Sequence, residues 1–213
     1  MESFLGLHID ELKDFDVALH VGTLLAILLY FRRDLLNFKL WPYLIFASVP
    51  AALVGFFLED QIDALFRSAQ SVGAAFLLVG LLFFIPQKQN NKTLTWGRAL
   101  AIGCAQACAI VPGVSRSGST LFTGMQLGMK REDAARFSFL LGSIAIAGAG
   151  LLKALRFEAL QVEPAALLAG FLAAFASSLF AVSWLMNYLK THSLKVFGIY
   201  RVIVGVLIIL FLS

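Results

Sequence analysis

Residues 111–120 read Val-Pro-Gly-Val-Ser-Arg-Ser-Gly-Ser-Thr, a run of hydroxyl groups and glycines around one arginine. The run separates two apolar pieces of the chain, residues 100–111 and 119–129. Each piece is shorter than the roughly 17 to 25 residues that cross a bilayer as a helix. The proline and the glycines disfavour a continuous helix, because proline lacks an amide donor and glycine is a poor helix former. The stretch therefore predicts a helix-loop-helix.

The rest of the chain is far more apolar than a soluble protein. Hydrophobic residues make up 60% of its 213 residues and charged residues 14%, which is typical of an integral membrane protein. We predict an all-α polytopic membrane fold with about six transmembrane helices, at residues 16–31, 40–58, 72–86, 134–155, 165–188 and 194–212. The net charge of +4 is carried mainly by the loops between these spans, so no nucleic-acid partner is indicated.

The distribution of basic residues favours a re-entrant path for the helix-loop-helix. Lysines and arginines follow the first, third and fifth spans and also follow residue 129, and short basic loops lie on the cytoplasmic side. These loops share one side only if the segment around 111–120 enters and leaves from the cytoplasm. Non-helical backbone at membrane depth needs surrounding protein or a watery cavity, so the loop also predicts a polar cavity.

Three predicted spans precede the re-entrant segment and three follow it, which predicts an inverted repeat within a single membrane domain. The first repeat comprises residues 1–93 and the second comprises residues 94–213. Broken helices come in corresponding pairs in such folds, but residues 1–15 are too few and too acidic to form a hairpin before the first span. We therefore expect that the first re-entrant hairpin is missing and that the chain is shortened at its N-terminus.

Arg116 is the only cation between residues 99 and 129, and a charge at that depth needs a partner or a cavity. A guanidinium group matches the geometry of phosphate, and a helix that starts near residues 117–118 would point its positive end at a bound anion. Four nearby hydroxyl groups can donate to phosphate oxygens, those of Ser115, Ser117, Ser119 and Thr120. The stretch thus predicts a phosphate or diphosphate site. The alternative is that Arg116 pairs with a buried carboxylate while the serines cap helix ends.

Other polar residues in the apolar segments are weaker candidates. Arg201 lies inside the last predicted span, where it must serve the site or form a structural ion pair. Gln106 is expected to bond to a neighbouring helix or to contact the substrate. Cys104 and Cys108 stand one turn apart with no nearby histidine, so we interpret them as packing residues rather than a metal pair.

Residues 112–120 resemble the signature of the undecaprenyl-diphosphate phosphatase family, also called the bacitracin-resistance proteins. Residues 15–24, residues 135–141 and the pair Tyr200-Arg201 followed by Gly205 resemble other segments of that family in the same order. The resemblance covers essentially the whole chain. It implies a multi-pass hydrolase of the bacterial plasma membrane that converts undecaprenyl diphosphate to undecaprenyl phosphate and inorganic phosphate. That reaction recycles the lipid carrier of peptidoglycan synthesis and is linked to bacitracin resistance.

The resemblance also implies which residues form the site. The family's diphosphate-binding positions fall on Ser115, Arg116, Ser117 and Thr120. We predict catalytic roles for Ser115, Arg116 and Ser117. The predicted substrate-binding set contains these three and also Gly113, Gly118, Thr120 and Arg201.

A divalent cation, Mg²⁺ or Ca²⁺, is implied as well, together with a first motif that holds two glutamates and a Ser-Ser-x-Gly-His stretch. Glu2 and Glu11 do not have the spacing of that motif, and His20 belongs to residues 15–24, so the cation's ligands are not found in this sequence. We therefore expect weak hydrolysis or none. The alternatives are a polyprenyl-phosphate transporter or flippase and a noncatalytic fragment. The expected partners are a polyprenyl diphosphate lipid, the bilayer and, as an option, a second copy of the chain.

Overall fold

The computed structural model describes residues 9–87, 90–154 and 164–212, with side chains at residues 17–87, 90–150 and 164–212. Every regular element in these residues is a helix, so the predicted all-α class is confirmed for them. In chain order the helices are α1 (Ile9–Tyr30), α2 (Arg32–Leu35), α3 (Trp41–Phe66), α4 (Ala69–Leu82), α5 (Trp96–Cys108), α6 (Arg116–Gln126), α7 (Arg131–Ala154), α8 (Pro164–Thr191) and α9 (Lys195–Phe211).

The helices α1, α3, α4, α7, α8 and α9 coincide with the predicted spans, but some boundaries differ. α3 continues to Phe66, whereas the predicted span ends at residue 58. α4 ends at Leu82 instead of residue 86, because the amides of the next three residues bond to carbonyls three positions back and so tighten the chain into a turn. Pro86 follows this turn and cannot continue a helix.

The surface of the helices is that of a membrane protein. α3 and α8, with 26 and 28 residues, are each long and apolar enough to cross a bilayer, while Val17–Tyr30 of α1 and the whole of α4 are shorter apolar helices. Phe56 on α3 is 83% exposed and Phe180 on α8 is 74% exposed. Water-soluble proteins rarely expose large apolar surfaces of this kind, whereas lipid accepts them. The number of six spans stays a prediction.

The chain divides into two compact units, and the polar stretch at residues 111–120 lies entirely in the second. The first unit consists of Met1–Leu36 with Ser143–Leu185, and the second consists of Asn37–Gly142 with Met186–Ser213. In the first unit α1 and α8 approach closely, since a β-carbon added at Gly22 would overlap the carbonyl oxygen of Phe171. The hydroxyl group of Ser178 donates to that of Thr23 at 3.1 Å and links the same two helices.

Glycines bring α4 and α9 together in the second unit. A β-carbon at Gly205 would lie 2.9 Å from the carbonyl oxygen of Gly73, and one at Gly198 would lie 2.9 Å from that of Gly80. Small residues allow helix backbones to approach closely in membrane proteins, where packing rather than the hydrophobic effect drives association. This close approach places Arg201 of α9 directly beside α4.

α5 and α6 form a short helical hairpin of 13 and 11 residues. α5 begins after Thr95, whose side chain caps its first turn. α6 ends just before Gly128, whose φ of +87° is a conformation that glycine adopts readily at a helix end. The guanidinium group of Arg98, in the first turn of α5, donates to the carbonyl oxygen of Leu127. The two outer ends of the hairpin therefore lie side by side.

We predict that Gly103→Ala destabilises the protein by about 1–3 kcal/mol through overpacking. α3 and α5 approach closely at this point, and a β-carbon at Gly103 would overlap the carbonyl oxygen of Ala47. Gly97→Ala is the matched control on the same helix, because a β-carbon there meets nothing within 4 Å. Thermal unfolding in detergent measures both variants. Equal unfolding temperatures would contradict this packing of α3 against α5.

Candidate functional site

The polar stretch becomes a loop and the start of a helix. The loop turns at Gly113, whose φ of +86° favours glycine. α6 begins at Arg116, slightly earlier than the predicted start at residues 117–118. The reason is local, because Ser115 acts as the N-cap and its hydroxyl oxygen accepts a hydrogen bond from the amide of Gly118 at 3.2 Å. Several of the predicted site residues therefore share the first turn of one helix.

The first turn of α6 presents hydrogen-bond donors. The backbone amides of Arg116 and Ser117 have no acceptor among the described residues, as is usual at the start of a helix. No side chain fits at Gly118, since a β-carbon there would lie 2.7 Å from the ring of Phe83 and 2.8 Å from Oγ of Ser115. The unpaired amides and the positive end of the α6 dipole favour the binding of an anion.

The Arg116 side chain is half-buried and extends beside α7. Its Nε lies 4.0 Å from the place that a β-carbon at Gly142 would occupy. No carboxylate among the described side chains forms an ion pair with it, so the Arg116–carboxylate pair of the alternative has no support in them. The capping role that the same alternative gave to the serines is confirmed for Ser115. A half-buried cation beside the positive end of a helix favours a bound anion. The arrangement fits the predicted phosphate site.

Thr120 lies behind this first turn and is only 1% exposed. Its hydroxyl group is 3.0 Å from the carbonyl oxygen of Arg116 and 3.2 Å from that of Ser117, and it also bonds to the hydroxyl of Ser138 on α7. Ser138 in turn donates to the Ser117 carbonyl at 3.3 Å. These bonds hold the start of α6 against α7. Contact of Thr120 with a substrate stays a prediction.

Sequence reasoning missed Ser138 as part of this arrangement. Ser138 lies within residues 135–141, which resemble a segment of the family, but the resemblance was not extended to a site role for this hydroxyl group. Its importance depends on the packing of α7 against α6, which no local pattern in the sequence reveals.

Arg201 supports the loop from α9. It is 7% exposed, its Nη2 donates to the carbonyl oxygen of Gly113, and its guanidinium carbon lies 4.3 Å from the centre of the Phe76 ring. The carbonyl dipole and the face of the ring both stabilise the buried positive charge. Arg201 therefore contacts the predicted site through the loop backbone. Direct binding of substrate by Arg201 stays a prediction.

The two cysteines that the sequence analysis considered lie on α5. Cys104 and Cys108 are free thiols exposed on the outward side of α5, so their interpretation as packing residues is wrong. Among the described residues, no group of three or more His, Cys, Asp or Glu side chains could hold a metal ion.

These features define an all-helical membrane protein in which a partly buried loop leads into a helix that starts with an arginine. The chain belongs to the bacitracin resistance protein BacA family, whose model matches residues 1–207. The family resemblance predicted from residues 112–120 is thereby confirmed.

Curated relatives match most of the chain and most of their own length. The undecaprenyl-diphosphatase of Desulforudis audaxviator is 37% identical over 92% of this chain and 81% of its own. The undecaprenyl-diphosphatase of Elusimicrobium minutum is 35% identical over 99% of this chain and 87% of its own. The undecaprenyl-diphosphatase of Rubrobacter xylanophilus is 37% identical over 96% of this chain and 86% of its own.

We predict that Thr120→Val destabilises the protein by about 1–2 kcal/mol, because the buried hydroxyl group that links α6 to α7 is lost while the side-chain shape is kept. Thr123→Val is the matched control on the same helix, since the hydroxyl of Thr123 has no partner among the described residues. Chemical or thermal unfolding in detergent measures the difference. A Thr120→Val protein as stable as the control would show that the bond to Ser138 contributes nothing.

Proposed function

We propose that this protein hydrolyses undecaprenyl diphosphate to undecaprenyl phosphate and inorganic phosphate, and so recycles the lipid carrier of peptidoglycan synthesis. The observation that carries the proposal is Arg116 at the start of α6, half-buried and without a carboxylate partner among the described side chains. Relatives named undecaprenyl-diphosphatase align with 92% and 99% of the chain and supply the substrate class. A contribution to bacitracin resistance follows from the family's description.

The residues at the start of α6 bind the diphosphate. The Arg116 guanidinium group pairs with phosphoryl oxygens in a two-pronged geometry, and the amides of Arg116 and Ser117 donate to the same group. The hydroxyl oxygen of Ser115 already accepts from Gly118, so its hydrogen can be donated to the ligand. Ser117 is exposed on the first turn and can donate as well. These contacts give Ser115, Arg116 and Ser117 their predicted roles.

Hydrolysis forms a bond between a water oxygen and the terminal phosphorus and breaks the bond between that phosphorus and the bridging oxygen. Negative charge spreads over the transferring phosphoryl group and the leaving oxygen as the bond breaks. A fixed guanidinium group and oriented amides stabilise this charge without having to reorganise. The lipid leaves as a monophosphate that keeps the bridging oxygen. A bound Mg²⁺ or Ca²⁺ stays a prediction of the family resemblance, and none of these contacts involves it. The expectation that this chain hydrolyses its substrate only weakly or not at all also stays a prediction.

We also propose a multi-pass path in the bacterial plasma membrane, with α5 and α6 as a re-entrant hairpin. At ~1.5 Å per residue, 13 and 11 residues extend about 20 and 16 Å, less than the hydrocarbon thickness of about 30 Å. The bond from Arg98 to the end of α6 holds both outer ends together, which supports entry and exit on one side. The polyprenyl tail of the substrate then lies along exposed apolar helix faces.

We predict that Arg116→Lys lowers kcat/KM about 10- to 100-fold, because lysine keeps the charge but loses the two-pronged hydrogen bonding. Arg116→Leu should reduce activity to background. Arg67→Lys is the matched control, since Arg67 is exposed and paired with Asp63 at 3.0 Å. The measurement is phosphate release from undecaprenyl diphosphate by detergent-solubilised protein.

Detergent removes any transmembrane gradient, so phosphate release under these conditions excludes pure transport. If the wild type releases phosphate and Arg116→Lys has the same kcat/KM, the proposed site is wrong. Movement of labelled polyprenyl phosphate across vesicle membranes, without any phosphate release, would contradict the proposed reaction and support a transporter.

A further inference from the structure

Gln106, close to the end of α5, is a buried amide without a partner. Its side chain is 3% exposed, and neither Nε2 nor Oε1 forms a hydrogen bond with a described residue. Buried polar groups almost always have partners, because an unpaired one loses its hydration and gains nothing in return. Gln106 is the exception among the buried residues of α5, because the others are small or apolar, namely Ala99, Ile102, Gly103 and Ala107. The exception indicates a ligand that completes the hydrogen bonds of Gln106.

The pairing of α5 with α6 shows where Gln106 lies. Arg98 bonds to the carbonyl at the end of α6, and one turn further along α5 the Cδ1 atom of Ile102 lies 3.5 Å from the place of a β-carbon at Gly124. The two helices are therefore antiparallel in this register. Gln106 is four residues beyond Ile102 on the same face, at the level of residues 120–121 of α6. This register places it about one helical turn from Arg116, at the end of the hairpin that holds the loop.

We propose that Gln106 is a further diphosphate-binding residue whose side-chain NH₂ group donates to a phosphoryl oxygen held at the start of α6. This inference rests on the proposed function, because it takes the ligand of that site as the missing partner. A carboxamide adds hydrogen bonds for the phosphates without a further charge, and a neutral group costs less than an ion to leave buried when the ligand departs. Oε1 accepts a hydrogen bond from a water molecule or a protonated phosphate oxygen in the same site.

The test compares Gln106→Met and Gln106→Leu with the wild type. Both variants keep much of the side-chain volume and remove the two unpaired polar atoms, so the unfolding temperature without ligand should stay the same or rise. The increase in unfolding temperature caused by farnesyl methylenediphosphonate, a non-hydrolysable analogue, should shrink. KM for phosphate release from farnesyl diphosphate should rise about tenfold, the loss expected for one hydrogen bond to a charged group.

Gln126→Met is the matched control, because Gln126 is an amide on α6 that donates to the carbonyl oxygen of Pro86 at 3.3 Å. It should leave KM and the analogue-induced stabilisation unchanged. If Gln106→Met and Gln106→Leu lower the unfolding temperature without ligand but leave KM and the analogue effect at wild-type values, Gln106 has a structural partner and the assignment is wrong.

The two proposals fail in different ways. If the wild type releases phosphate and both Gln106 variants match it in KM and in analogue binding, the Gln106 assignment is overturned while the proposed function stands. If the wild type releases no phosphate but binds the analogue, and binding weakens in both Gln106 variants, the hydrolytic function is overturned while Gln106 is supported as a diphosphate ligand.

Discussion

The structure depends on satisfying the polar backbone of a loop that lies among apolar helices. Where water is excluded, carbonyl and amide groups outside helices need partners from the protein. Arg201 provides one for the carbonyl of Gly113, and Ser115 provides another for the amide of Gly118. Among the groups left without partners in the described residues are the amides of Arg116 and Ser117, the side chain of Gln106 and Nε of Arg201. The proposed diphosphate site uses the two amides and the side chain of Gln106.

The packing of the second unit places these groups. Glycine contacts bring α9 close enough to α4 for Arg201 to reach the loop, and Gly113 itself packs so tightly on α4 that a β-carbon would overlap the carbonyl of Val72. On the other side, Thr120 and Ser138 hold the start of α6 against α7. The loop is thus supported from both sides while Arg116 stays half-exposed. Precise support of this kind is what charge stabilisation during phosphoryl transfer requires.

The sequence predicted the helices and the polar stretch well, because long apolar runs and a Pro-Gly interruption are local signals. It predicted the start of α6 slightly late, since the capping role of Ser115 depends on the space that Gly118 leaves. It did not reveal Ser138, nor that Arg201 would bond to the Gly113 carbonyl 88 positions away, because such contacts depend on helix packing. Gln106 was a candidate from sequence, but only its burial without a partner made it a specific one.

The most direct test of the central claim is an experimental structure of the protein with farnesyl methylenediphosphonate bound. The account predicts that the diphosphonate lies at the start of α6, with its oxygens within hydrogen-bond distance of the Arg116 guanidinium group, the amides of the first turn and the Gln106 side chain. A diphosphonate bound elsewhere, for example beside Lys92 and Arg98 at the outer ends of the hairpin, with Arg116 paired to a carboxylate, would contradict it.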